Sequence, residues 1–313
     1  MTAPGGPVPV LVGPTASGKT ACALAVAEAL DAEIVNVDSR QIYRGMAIGS
    51  AAPTAGERMR VPHHLVGIAD PGARVGAGEF GRMAAAAMAS IRSRGRTPLL
   101  TGGSGLYLRA ALGGLDRLPR DETVRDTLRA RLGDEGIEAL HAELARRDPA
   151  TAARVAPRDT HRVLRALELL LITGKPASTL RRLGRATLVP ARIVVLDRPR
   201  GELERRIRAR TAAMIEAGLR DEVEALLDAG VDPAAPAMKS VGYAETVSLV
   251  RGKLDRAAWE EAIVIHTRRY AKRQRTWFRG IPEAVWVVAA GDEAPAVTAG
   301  RLRKGLESRG GKP

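Results

Sequence analysis

Residues 13–20, Gly13-Pro14-Thr15-Ala16-Ser17-Gly18-Lys19-Thr20, match the pattern Gly-x-x-x-x-Gly-Lys-Ser/Thr. No other stretch limits the possible folds as strongly. An apolar run, Val8–Val12, precedes it, and an alanine-rich segment with helical periodicity, 19–30, follows. Strand, glycine loop and helix in that order make the first βα unit of a parallel sheet. Glycines let the backbone curl so that several N–H groups converge on one anion, and the helix N-terminus adds positive potential. Lys19 brings a mobile charge, and Thr20 can hold Mg²⁺ beside phosphates. A chance match in a chain of 313 residues is on the order of one in a hundred from residue frequencies alone. The loop does not choose its phosphate compound. Nucleotide hydrolysis, a small-molecule kinase reaction or the binding of another diphosphate ester all fit it.

The pattern continues with apolar runs at 33–37, 65–68 and 97–101, and with a helix at 79–94 ended by Gly95. Strands alternating with helices predict a parallel sheet covered on both faces. From about residue 116 the pattern changes to helices only, at 121–132, 137–146 and 160–173. Arginines crowd this stretch: Arg146, Arg147, Arg154, Arg158, Arg162, Arg165, Arg181, Arg182 and Arg185. A strand at 192–196, a long helix at 254–278 and a closing strand at 285–288 return to the first pattern, and 308–313 reads as a frayed tail. The fold class is therefore α/β, a P-loop-type parallel sheet covered by helices, with a basic all-helical insertion. Its boundaries are 1–115 for the first part of the core, 116–190 for the insertion and 191–313 for the second part.

Lys and Arg number 49 against 35 Asp and Glu, a formal charge of +14, which favours a polyanionic partner. Cys22 is the single cysteine, so an internal disulfide and a cysteine-rich zinc module are both excluded. No apolar run approaches the roughly 20 residues of a membrane span, and the first nine residues lack a basic, then apolar, leader pattern. A soluble, cytoplasmic monomer is expected.

Two further features bear on chemistry. Asp38 ends the 33–37 run, and strand C-terminal ends line the ligand crevice of such sheets, so Asp38 is expected to face the phosphate loop. It is a candidate Mg²⁺ ligand, general base or cap for the following turn. Thr101-Gly102-Gly103-Ser104-Gly105 repeats the strand–glycine–hydroxyl–helix order. The Ser104 hydroxyl is a candidate to donate to a leaving phosphate oxygen, to cap the helix beginning near Leu106, or to do both. His63 and His64 are adjacent, hence on opposite faces of an extended chain, and predict no metal pair.

Taken together, GPTASGKT at 13–20, VDSRQIYRGMAIGS at 37–50, PHHLVGIADP at 62–71, TGGSGLYLRA at 101–110, DTHRVLRALE at 159–168, VGYAE at 241–245 and RRYAKRQRTWFR at 268–279 resemble the tRNA dimethylallyltransferase (tRNA isopentenyltransferase) family. The resemblance runs in order over roughly residues 8–280. It implies transfer of the dimethylallyl group of dimethylallyl diphosphate to N6 of the adenosine immediately 3′ of the anticodon, with diphosphate leaving and Mg²⁺ as cofactor. Residues 13–20 and Arg210 would hold the diphosphate, with Lys19, Asp38 and Ser104 as catalytic groups. Contacts to tRNA are implied for Asp38, Ser39, Arg40, Gln41, Ser104, Arg125, His161, Arg162, Val163, Leu164 and Arg165. In the basic segment they are implied for Arg269, Lys272 and Arg273, while its aromatics are expected mostly to pack. Two positions depart from the family pattern. Ser104 stands where threonine is usual and loses a stiffening methyl, and Ala52 replaces a lysine, which implies one anion contact fewer.

Overall fold

The computed structural model describes residues 6–115, 118–183, 189–289, 291 and 293–307; the expected tail at 308–313 and Arg185 lie outside them. The chain forms two compact units, residues 1–113 with 189–313, and residues 114–188.

The first unit begins with β1 (Val8–Val12), α1 (Lys19–Ala29), β2 (Ala32–Asn36), α2 (Ala55–Arg60), β3 (His63–His64), α3 (Ala77–Ser93), β4 (Thr97–Gly102) and α4 (Gly105–Ala111). The second unit holds α5 (Glu122–Arg147), α6 (Pro149–Ala152), α7 (Thr160–Thr173) and α8 (Ala177–Leu183). The first then resumes with β5 (Ala191–Asp197), α9 (Arg200–Glu216), α10 (Leu219–Asp228), α11 (Tyr243–Val250), α12 (Arg256–Arg279), β6 (Val285–Val288) and α13 (Pro295–Glu307).

The strands form one parallel sheet in the order β3-β2-β4-β1-β5-β6. Strands covered on both faces are apolar almost throughout, and β1 and β2 are buried at every position. Glu33 and Asn36 in β2 are the polar exceptions, and the buried Glu33 carboxylate takes His64 and Arg94 at 2.7 Å each. One side of the sheet packs Leu11, Ile34, Leu99, Val194 and Leu196 against Cys22 and Leu24 of α1 and Leu302 and Leu306 of α13. Register decides what meets at the strand ends. Val12 lies opposite Gly102, and Asn36 opposite Thr101. The loops leaving β1, β4 and β2 therefore emerge side by side, which brings residues 13–20, Gly103–Ser104 and Asp38 together.

The strand expected at 65–68 does not form. Leu65 and Gly67 have φ of 63° and 61°, a left-handed geometry incompatible with an extended strand, and the strand ends at His64. The helices expected at 121–132 and 137–146 join as α5 across a kink at Gly136, φ 80°. Within the second unit Leu128, Leu140, Leu144, Val163, Leu167 and Leu170 make a separate core. Asp159 caps α7 by accepting from the Arg162 N–H, and Gly174, φ 66°, ends it.

Candidate active site

A cavity of about 70 Å³ opens at these strand ends, lined among others by Thr15, Lys19, Thr20, Asn36, Asp38, Arg40, Gln41, His63, Thr101, Arg210 and Gln274. Three cations and one carboxylate thus share a small space. Lys19 Nζ donates to Pro14 O at 2.8 Å. Burial, with Arg210 and Arg40 adding repulsion, lowers its pKa to about 7, against the pull of Asp38. Burial likewise lowers Arg210 to about 10, with Arg40 adding to it and Asp38 and Tyr270 opposing. In their charged forms, side chains so placed attract an anion more strongly than solvated ones, because the anion relieves both desolvation and mutual repulsion.

The phosphate loop is held by arginines. Arg198 Nε donates to Ser17 O at 2.8 Å, Arg206 Nε to Ala16 O at 2.9 Å, and Arg210 Nη1 to Thr15 Oγ1 at 2.9 Å. Arg198 is itself buried and paired with Glu202. Gly18 begins α1 in the left-handed region at φ 92°, which a residue with a side chain adopts only at a cost. A Cβ on Gly13 would meet Leu196 O at 2.2 Å, so only glycine lets the loop cross the end of β5.

Asp38 sits where its position after β2 suggested. Its Oδ1 accepts from the Arg40 N–H at 3.0 Å, which is the turn-capping contact, and the residue also lines the cavity. Asn36 locks the surrounding backbone by accepting from the Asp38 N–H and donating to Leu65 O, each at 3.0 Å. Arg40 stacks over the Tyr270 ring at 4.7 Å. Gln41 donates to Ala51 O at 2.8 Å. Ser104 occupies the N-cap position of α4 but makes no side-chain cap. Its Oγ instead accepts from the Ser39 N–H at 3.0 Å and lies 3.0 Å from Ser39 Oγ. The capping alternative is therefore corrected: the hydroxyl braces the Asp38–Ser39 turn.

On α12, Arg269, Lys272 and Arg273 are exposed, while Ala271, Gln274 and Phe278 are buried. Trp277 is the partial exception to the packed aromatics, at 37% exposed. In the second unit His161 and Arg162 are exposed. Arg125 is engaged with Glu168 at 2.9 Å and Glu122 at 2.7 Å, and Arg165 with Glu168 and Pro119 O. Leu164 is half-buried against the core, and Val163 is 0% exposed within it. The Val163 side chain itself therefore packs in that core.

Sequence reasoning missed Asn36, Arg198, Arg206 and Gln274. Gln274 had one visible signal, being the single amide in the basic run 268–279. Among the described residues no group of His, Cys, Asp and Glu is placed to hold a metal alone, and no helix is long and apolar enough to cross a membrane.

The IPP transferase family model matches residues 41–281, and the isopentenyl transferase model matches residues 7–61. The chain is 45% identical to a tRNA dimethylallyltransferase of Trichlorobacter lovleyi, over 89% of this chain and 92% of that one. It is 46% identical to one of Thiobacillus denitrificans, over 92% and 93% respectively. Among solved structures it is similar to the full-length tRNA isopentenylpyrophosphate transferase of Bacillus halodurans. Identity there is 34% and the TM-score 0.69, with 96% of this chain and 97% of that chain covered.

Proposed function

The chain belongs to the IPP transferase family, and from that premise we propose that it transfers the dimethylallyl group of dimethylallyl diphosphate to N6 of the adenosine immediately 3′ of the anticodon in tRNA, releasing diphosphate. The observation that carries this reading is the sharing of one cavity by Asp38 with Lys19 and Arg210. In the reaction the N6 nitrogen bonds to the allylic C1 as the C1–O bond to diphosphate breaks. Negative charge then builds on the departing oxygens, and N6 carries a proton to be lost. Lys19, Arg210 and the backbone N–H groups at the start of α1 meet the first demand. Asp38 meets the second as general base, since the adenine amine, delocalised into its ring, is a poor nucleophile until that proton leaves. Ser39, Arg40 and Gln41 border the base and orient it.

The Thr20 hydroxyl and the Asp38 carboxylate line the cavity beside the phosphate loop. An oxygen donor set this sparse fits Mg²⁺ that keeps waters and is completed by substrate phosphates. Thr20 would hold the ion there, and the ion would supply charge neutralisation to the diphosphate. The anticodon loop offers an unpaired adenosine, so moving it out of its stack is inexpensive. Exposed Arg269, Lys272 and Arg273, with His161 and Arg162 of the second unit, supply contacts for RNA phosphates. A cytoplasmic, monomeric enzyme suits this work.

Radiolabelled dimethylallyl diphosphate presented with unmodified tRNA, and in parallel with AMP and ATP, tests the proposal. Label on the adenosine beside the anticodon is the expected result. Label confined to AMP or ATP would move the acceptor to free nucleotides, and ATP turnover without prenyl transfer would return the site to kinase chemistry.

A further inference from the structure

Among the described residues, Gln274 is the one side chain seen to hydrogen-bond to the backbone of both glycine loops. It lies on α12, which also sends Tyr270 and Trp277 toward the site, at positions i−4 and i+3 on the same helical face. Its Oε1 accepts from the Thr15 N–H of the phosphate loop at 2.8 Å. Its Nε2 donates to Gly103 O of the second loop at 2.9 Å. The side chain is buried, with 5% exposure, so neither bond is exchanged freely with water. The fit is close: a Cβ on Gly103 would lie 2.3 Å from Gln274 Nε2 and 3.6 Å from Asp38 Oδ2. The amide and the Asp38 carboxylate thus flank the same glycine.

We propose that Gln274 is a positioning residue that sets the separation between the diphosphate-holding loop and the loop carrying Ser104, and hence the gap between the donor carbon and the acceptor nitrogen. This rests on the function proposed above. Transfer between two bound reactants depends steeply on that gap, and a misplacement of about 1 Å can cost on the order of 100-fold. A primary amide suits the place because one planar group offers an acceptor toward an N–H and a donor toward a carbonyl. Asparagine is a methylene too short to span both. A carboxylate keeps the acceptor but places negative charge against Gly103 O and near Asp38. Methionine fills the volume and makes neither bond. Because Thr15 N–H is committed to Gln274, the diphosphate is left with the N–H groups further along the loop, which places it toward Lys19 and Thr20.

The test uses the full chain with Gln274→Glu and Gln274→Met. Single-turnover transfer to unmodified tRNA is read beside the dissociation constants for tRNA and for inorganic diphosphate. We expect transfer to fall by roughly 30-fold or more in both variants, with each dissociation constant changed by less than about 3-fold. A second readout belongs to the amide's donor role. A buried glutamic acid has a raised pKa, and once protonated it can again accept from Thr15 and donate to Gly103. The ratio of Gln274→Glu to wild-type rates should therefore climb as pH falls from about 8.5 to about 6, and the Gln274→Met ratio should stay flat. Transfer within about 3-fold of wild type, or a loss matched by an equal loss of diphosphate or tRNA affinity, overturns the role. So does a flat pH ratio for a soluble Gln274→Glu protein. If that variant does not fold, the split between rate and affinity in Gln274→Met decides. No transfer by the wild-type chain would instead remove the proposed function, and this role with it.

Discussion

The loops at 13–20 and 101–105 both carry the chain from a parallel strand into a helix through glycines and a hydroxyl residue, and the two use those residues differently. In the first, Gly18 is needed for a left-handed φ of 92°, so that backbone amides can curl round an anion. Cations surround it: Lys19 and Arg210 in the cavity, Arg198 and Arg206 on its carbonyls. In the second, the glycines are needed for close approach. A Cβ on Gly102 would sit 2.5 Å from the Val37 carbonyl carbon, and one on Gly105 would sit 2.1 Å from the Trp277 ring. No charge lies on that loop, and its hydroxyl braces the turn that presents Asp38. Similar sequence patterns thus yield an electrostatic cradle in one place and a packing surface in the other.

The sharpest way to break this contrast is to remove the carboxylate that the second loop supports. Asp38→Ala is expected to lower single-turnover transfer about 1,000-fold, within the range for a general base, while tRNA affinity stays within about 3-fold. Activity near wild type would take Asp38 out of the chemistry. On the cradle side, Lys19→Ala should cost on the order of 100-fold in transfer and also weaken diphosphate binding. Its lowered pKa gives a separate signature. At pH 8 the free lysine, with a pKa of about 7, is mostly neutral. A bound anion favours its charged form and raises that pKa. Binding a non-reactive thio analogue of dimethylallyl diphosphate should then take up close to one proton, about 0.9 at most. Calorimetry in buffers of differing ionisation enthalpy measures it, and Lys19→Met should abolish the uptake. Release of a proton, or none, would mean that Lys19 is charged before the ligand arrives. The smallest effect belongs to Ser104. Ser104→Ala should slow transfer about 5-fold, near the worth of one hydrogen bond of about 1 kcal/mol. Ser104→Thr, which keeps the oxygen, should remain close to wild type.

What could be read from residues alone follows the range of the interactions involved. The phosphate loop, the strand before it and the helix after it are local patterns, as is the continuous burial of β1 and β2, and these appear as expected. Asp38 was legible because the end of a parallel strand is a place defined by the strand itself. The apolar residues Leu65, Val66 and Ile68 misled because composition resembles a strand while φ at Leu65 and Gly67 forms a turn. Ser104 misled in another way: a hydroxyl at an N-cap position is read as a cap, and only the fold brings the Ser39 N–H to it. Gln274 lies beyond any local pattern, since its partners are 259 and 171 residues away in sequence. Val163 illustrates a limit of resemblance. A segment can match a contact motif while one of its side chains belongs to a core.

The strand order has a further consequence, for the chain as it is made. β1 is synthesised first, yet its neighbours in the sheet are β4 and β5, and the whole helical insertion is translated before β5. At roughly 5–20 residues per second, Val8–Val12 waits on the order of ten seconds or more after leaving the ribosome before its second edge is paired. Throughout that interval one of the most apolar segments of the protein is an open sheet edge, able to pair with a neighbouring nascent chain. The time spent translating the insertion therefore sets how long that edge stays open, before the active site exists.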